Sequence, residues 1–167
     1  MRSIKVCAFL CLICFAMLTG CQAKTPPPPP QSFTAAATVT FGEKRFTAKV
    51  AQACPGSLLL EFAGLPELEG MRMQLEGGTA VVSFGDMELR LPTPSLPQAG
   101  FAGILGQALQ TLAQPEKEQV RRITNGWELR GEAGGLAYLA KVDMEGMLRE
   151  IDVPGAGLKA ILECMRT

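Results

Sequence analysis

The sequence predicts a mainly β (α+β) domain, a curved antiparallel sheet or half-barrel of roughly ten strands with one main apolar helix packed on its concave face. Three observations carry this. Apolar and polar residues alternate with a period of two over most of the chain from Phe33 onward. Glycine-containing turns, among them Asn125-Gly126, punctuate that alternation at short intervals. Between Phe101 and Ala113 the period changes to that of a helix.

The first strand sets Phe33, Ala35, Ala37, Val39 and Phe41 against Thr34, Thr38 and Thr40. Gly42-Glu43-Lys44 turns it, and Phe46, Ala48, Val50 and Cys54 alternate with Arg45, Thr47 and Lys49 before Pro55-Gly56 ends the second strand. Leu58, Leu60 and Phe62 form the next, then Met71, Met73 and Leu75 against Arg72, Gln74 and Glu76, up to Gly77-Gly78. Val82 and Phe84 lead through Gly85-Asp86 to Met87, Leu89 and Leu91, and a proline-rich stretch from Pro92 to Pro97 follows. These segments describe an antiparallel meander.

In the helix, Phe101, Ile104, Leu105, Ala108, Leu109 and Leu112 share one face, and Pro115 ends it. Gly103 and Gly106 each cost up to about 1 kcal/mol of propensity, so packing against the sheet must hold it. Strands resume with Val120 to Ile123, Trp127 and Leu129, then Leu136, Tyr138, Ala140 and Val142. A turn near Glu145-Gly146, a strand to Val153, Pro154-Gly155 and a last strand from Leu158 to Cys164 complete the chain. A sheet with one apolar face must cover it, and the inserted helix is the available cover.

Ahead of this domain, Arg2 and Lys5 precede an almost wholly apolar run from Val6 to Leu18, the pattern of a cleavable secretory signal over residues 1–20. The run is shorter than the roughly 20 apolar residues a spanning helix needs. Leu18-Thr19-Gly20-Cys21 resembles the lipobox of bacterial lipoproteins. That resemblance implies cleavage between Gly20 and Cys21, a diacylglyceryl group on the Cys21 thiol, and a chain held to the cell membrane on its extracytoplasmic side. Residues 21–32 then read as a tether, because Pro26 to Pro30 favour a polyproline rod of roughly 15 Å. Residues 33–167 are expected to be a single domain.

Composition narrows what such a domain does. The chain has 16 basic and 16 acidic residues, and without Arg2 and Lys5 the balance is 14 against 16, so no basic field exists for nucleic acid. Histidine is absent, which removes the commonest general base and the commonest transition-metal ligand. Neither catalytic residues, nor a metal site, nor a cofactor is expected, and the chain reads as non-enzymatic. Cys54 and Cys164 fall on the apolar phase of their strands, either as buried thiols or as a disulfide between an early strand and the last.

The order of meander, Leu-Pro-x-Leu-x-Gly segment (Leu65 to Gly70), mid-chain helix and further strands resembles the lipoprotein-carrier superfamily of LolA/LolB-like half-barrels. The resemblance implies a concave apolar face that holds a lipid or the acyl chains of another lipoprotein, without covalent chemistry. Phe62, Met71, Met73, Met87 and Leu89, with the helix residues Phe101, Ile104, Leu105, Leu109 and Leu112, would then line the cavity. The alternative is an envelope interaction scaffold whose concavity is filled by its own side chains. A hollow concavity separates the first reading from the second.

Overall fold

The computed structural model describes residues 31–64, 66–92, 100–113 and 119–164, apart from the side chains of 119 and 164. The signal, Gly20, Cys21 and the tether up to Pro30 lie outside the described residues, as does Leu65. Among the described residues are eleven strands and one α-helix. The strands of the first meander are β1 (Phe33–Phe41), β2 (Lys44–Gln52), β3 (Leu58–Ala63), β4 (Met71–Glu76), β5 (Thr79–Phe84) and β6 (Met87–Pro92). Helix α1 (Phe101–Leu112) follows, then β7 (Gln119–Ile123), β8 (Gly126–Ala133), β9 (Leu136–Asp143), β10 (Leu148–Val153) and β11 (Leu158–Cys164).

All eleven strands belong to one antiparallel sheet in the order β6-β5-β4-β3-β2-β1-β11-β10-β9-β8-β7. The two meanders are stitched where β11 returns beside β1, from Ala35 opposite Cys164 to Phe41 opposite Leu158. The sheet stays open, with β6 and β7 as its edges.

The helix shows that the sheet must curl. Gly106 of α1 lies against Leu75 of β4 and Leu58 of β3, while the Gln107 side chain reaches Gly134 in the turn after β8. β4 and β8 stand seven places apart in the sheet. Strands are spaced about 4.8 Å apart, so a flat sheet would separate the two by roughly 34 Å, far more than the ~10–12 Å width of one helix. Only a sheet wrapped around α1 meets it from both sides.

Alternation decides what faces the helix. Ala35, Ala37 and Val39 of β1, Phe46, Ala48 and Val50 of β2, Leu58, Leu60 and Phe62 of β3, and Tyr138, Ala140 and Val142 of β9 are all buried. The intervening positions carry charge, including Lys49–Glu61–Arg72 across β2, β3 and β4 and Lys141–Glu150–Lys159 across β9, β10 and β11. Such surface pairs each contribute about 0–1 kcal/mol, so the buried face supplies most of the stability.

As its glycines require, α1 is held by packing. Its N-cap is Gly100 with no side-chain cap, no acidic residue lies in its first turn, and no basic residue in its last. Ala102, Ile104, Leu105, Ala108, Leu109 and Leu112 are buried. At its start Phe101 sits in an aromatic nest, edge-on to Phe46 at 5.1 Å and to Phe62 at 5.5 Å between ring centres, with Phe41 at 6.2 Å.

Candidate functional site

Cross-strand register lays parallel rows of side chains over the inner face of the first meander. One row is Leu58–Leu75–Ala80–Leu91, the next Leu60–Met73–Val82–Leu89, and a third carries Met71–Phe84–Met87 on from the level of Phe62. In the second and third rows burial falls toward the sheet edge, whereas in the first Ala80 is fully buried and Leu91 half-buried. Leu58, Leu60 and Phe62 are buried and Met71 and Met73 half-buried, whereas Phe84 is 44% exposed, Leu89 56% and Met87 69%. The cause is the reach of α1: the helix meets β3 and β4 at Leu58 and Leu75, and the turn end of the β5–β6 hairpin, with Phe84, Met87 and Leu89, projects beyond it while Ala80 stays buried.

The residues expected to line a cavity therefore divide into three groups. Phe62, Ile104, Leu105, Leu109 and Leu112 are buried in the core, and Phe101 packs into the aromatic nest, so these side chains fill the centre of the concavity themselves. Met71 and Met73 are partly buried at the margin of that core. Met87 and Leu89 lie on the exposed wing rather than in an enclosed space.

Open space remains beside the helix. A cleft of about 420 Å³ lies between α1 and the turns after β2 and β4. Leu58, Leu75 and Leu109 give it an apolar wall, and Gln52, Ser57, Glu76, Gln107 and Gln110 a polar one. Gly103 and Gly106 form its helical side, which is where their helix-weakening choice acquires a use. A Cβ on Gly106 would come within 3.1 Å of Leu75 Cδ1 and 3.5 Å of Leu58 Cδ2, so any larger residue there would fill the cleft or push the helix off the sheet.

The rim is preset by hydrogen bonds. Ser57 Oγ accepts from the Ala53 and Cys54 amides at 3.1 and 3.0 Å and donates to the Cys54 carbonyl at 2.9 Å, which locks the turn after β2. Gln52 is only 4% exposed, and its Nε2 donates to the Gln31 carbonyl at 3.0 Å. Gln31 immediately follows Pro26–Pro30, so the amino-terminal segment joins the domain at this rim.

Cys54 also borders the cleft, with an exposed free thiol. This corrects the expectation of an inward cysteine: β2 ends at Gln52, and the Ser57-locked turn takes over two residues before Cys54 would have pointed inward. The alternative of a disulfide to Cys164 is not formed, since Cys54 is free. Ala35 stands between Val50 and Cys164 in register, putting those two roughly 10 Å apart across two strand spacings, beyond the ~7 Å limit for a bridge. Cys54 lies further along the chain still.

Among the described residues, two carboxylates are perturbed, and both lie in the second meander. Burial raises the Asp143 pKa, but amide donation from Met147, the Arg149 guanidinium and the Glu145 amide outweigh it and hold the group below its ordinary value. At Glu150 burial again opposes ionisation, and Lys141 and Lys159 overcome it. Both organise strands and turns of β9–β11. The cleft itself offers amides, a hydroxyl, a carboxylate and a thiol beside an apolar wall, a set suited to holding an amphipathic molecule.

No family model matches the chain, and no curated protein matches it. Among solved structures, the chain is similar to the crystal structure of a LolA superfamily protein from Nitrosomonas europaea, with 12% identity and a TM-score of 0.38 over 82% of this chain and 86% of that one.

Proposed function

We propose that this chain is a lipid-anchored extracytoplasmic protein that binds a lipid, or the acyl chain of a lipoprotein, non-covalently and without catalysing a reaction. The observation that carries the reading is the continuity between the cleft and the exposed wing. The Leu58–Leu75–Ala80–Leu91 row begins in the cleft wall and runs through the buried Ala80 to the half-buried Leu91 on the edge strand, where it adjoins the exposed Leu89 and Met87 on the same face. An acyl chain laid along the wing, with its end in the cleft beside Gly106, meets apolar side chains throughout. Met71, Met73 and Met87 adapt to an irregular hydrocarbon. Each buried methylene contributes about 0.8 kcal/mol, so burying about ten gives roughly 8 kcal/mol before ordering costs. The polar end of the ligand would meet Gln52, Gln107 and Gln110 at the rim.

The anchor belongs to the same reading. With lipid on Cys21, the ten residues from Cys21 to Pro30 would span about 31 Å as a polyproline rod, and the Gln31–Gln52 hydrogen bond fastens their far end at the cleft rim. The rim would then face the membrane that supplies the ligand.

Two experiments test this. Cells expressing the full chain and labelled with palmitate are expected to yield a labelled, membrane-bound protein, and Cys21→Ser to abolish label and retention; equal labelling of the variant would refute the anchor. The purified protein is expected to bind a fluorescent fatty acid saturably. A non-saturable response would favour the scaffold reading, which the packed centre around Phe62, Phe101 and Leu105 supports.

A further inference from the structure

We propose that β6 is a self-complementary edge through which two copies of this chain pair, antiparallel, about a two-fold axis at Leu89. Among the described residues no strand pairs with the outer side of β6, which ends the sheet, and β6 carries the two most exposed large apolar residues described, Met87 and Leu89. Natural edges usually discourage pairing by charge, proline or a bulge. The other edge does so: β7 places Arg121 and Arg122 side by side, and self-pairing would set arginines against one another.

β6 is built differently over Met87–Leu91: its charges are self-complementary, and its one proline, Pro92, falls opposite Asp86 of the turn, outside the paired stretch. Its sequence Met87-Glu88-Leu89-Arg90-Leu91 places one acid and one base symmetrically about Leu89. In a two-fold antiparallel pairing centred there, Glu88 of each copy lies opposite Arg90 of the other, Met87 opposite Leu91, and Leu89 opposite its own counterpart. Glu88 and Arg90 are exposed and already reach toward each other along the strand, with Arg90 Nε 2.7 Å from Glu88 Oε1. Two copies would join these into an alternating cluster of four charges.

Backbone phase agrees with this register. Phe84 pairs with Met87 across the two-residue turn Gly85-Asp86, and Val82 with Leu89. In such a hairpin the residues flanking the turn exchange hydrogen bonds, and every second pair does so thereafter. The N–H and C=O groups of Met87, Leu89 and Leu91 therefore point toward β5, and those of Glu88 and Arg90 point out of the sheet. The outward pair is the pair that the Leu89-centred register brings together, and each Glu88–Arg90 contact can exchange both of its backbone hydrogen bonds. The apolar rows of the two wings would become one continuous face.

The test is positional cross-linking of the full chain under mild oxidation. Leu89→Cys sets two thiols directly opposite, at a separation compatible with a disulfide. It is expected to give a covalent dimer severalfold above the parent chain, and Glu88→Cys and Arg90→Cys to give little. Adding Glu88→Arg to Leu89→Cys is expected to lower the dimer severalfold, and adding Arg90→Glu as well to restore it. These exposed positions leave folding intact. No excess dimer at position 89, an equal yield at 88 or 90, or a yield indifferent to the charge reversal would each overturn the proposal.

Discussion

Gly106 of α1 stands over Leu75 of β4 so closely that a Cβ at 106 would lie 3.1 Å from Leu75 Cδ1. That contact joins the helix to the first meander, and it leaves the cleft on the same flank open. Gly106→Leu is expected to raise the dissociation constant of a bound acyl ligand at least about tenfold, a change of about 1.4 kcal/mol. Gln110→Trp, at an exposed rim position, should do the same without disturbing the helix contact. Titration with a fluorescent fatty acid, with circular dichroism to check the fold, measures both.

The aromatic nest fixes the start of α1. Removing Phe101, which touches Phe41, Phe46 and Phe62, forfeits ring contacts at the helix's uncapped end. Phe101→Ala is expected to cost about 2–4 kcal/mol in chemical denaturation, somewhat less than a fully buried phenylalanine because the ring is only partly buried. The same variant should be cleaved faster by protease within α1.

Gly131 of β8 faces Tyr138 of β9 in register, and the phenol ring lies where a side chain would otherwise stand. A Cβ at 131 would come within 2.6 Å of the Tyr138 hydroxyl oxygen and 2.7 Å of the ring carbon bearing it. Tyr138 is buried and cannot swing into solvent without opening the core. Gly131→Ala should therefore destabilise the protein by about 1–3 kcal/mol despite the better strand propensity of alanine, as read from its denaturation midpoint.

Asp143 and Glu150 both have lowered pKa values in the folded chain, for the reasons given above. A carboxylate whose folded pKa lies below its unfolded one adds stability that is present above the unfolded value and lost as pH falls through the folded value. Stability should be flat near neutrality and fall as the pH drops from the ordinary carboxylate range, about 4, downward. Arg149→Gln with Lys141→Gln should flatten that decline, as pH-dependent thermal melts would record.

Much of the sheet was legible because alternation reports directly which side of a strand is buried. Val39, Phe46, Leu60, Tyr138 and Ala140 are inside where period-two reading puts them. Alternation does not report what covers that side. Met87 and Leu89 have the same phase and the same chemistry as Met71 and Met73, and they are exposed because α1 stops short of the turn end of the β5–β6 hairpin. Gly103 and Gly106 were visible only as a propensity cost. Their i, i+3 spacing puts them on one helix flank, and that was the available sign of a cleft. At Cys54 a strand ending two residues early was enough to turn an inward residue outward.

The most direct measurement of the binding claim is native mass spectrometry of residues 31–167, produced in a bacterial periplasm, before and after organic extraction. A near-stoichiometric bound mass that extraction releases as lipid, and that Gly106→Leu eliminates, is the predicted result. A clean unliganded mass that stays unchanged after incubation with phospholipid vesicles would contradict it.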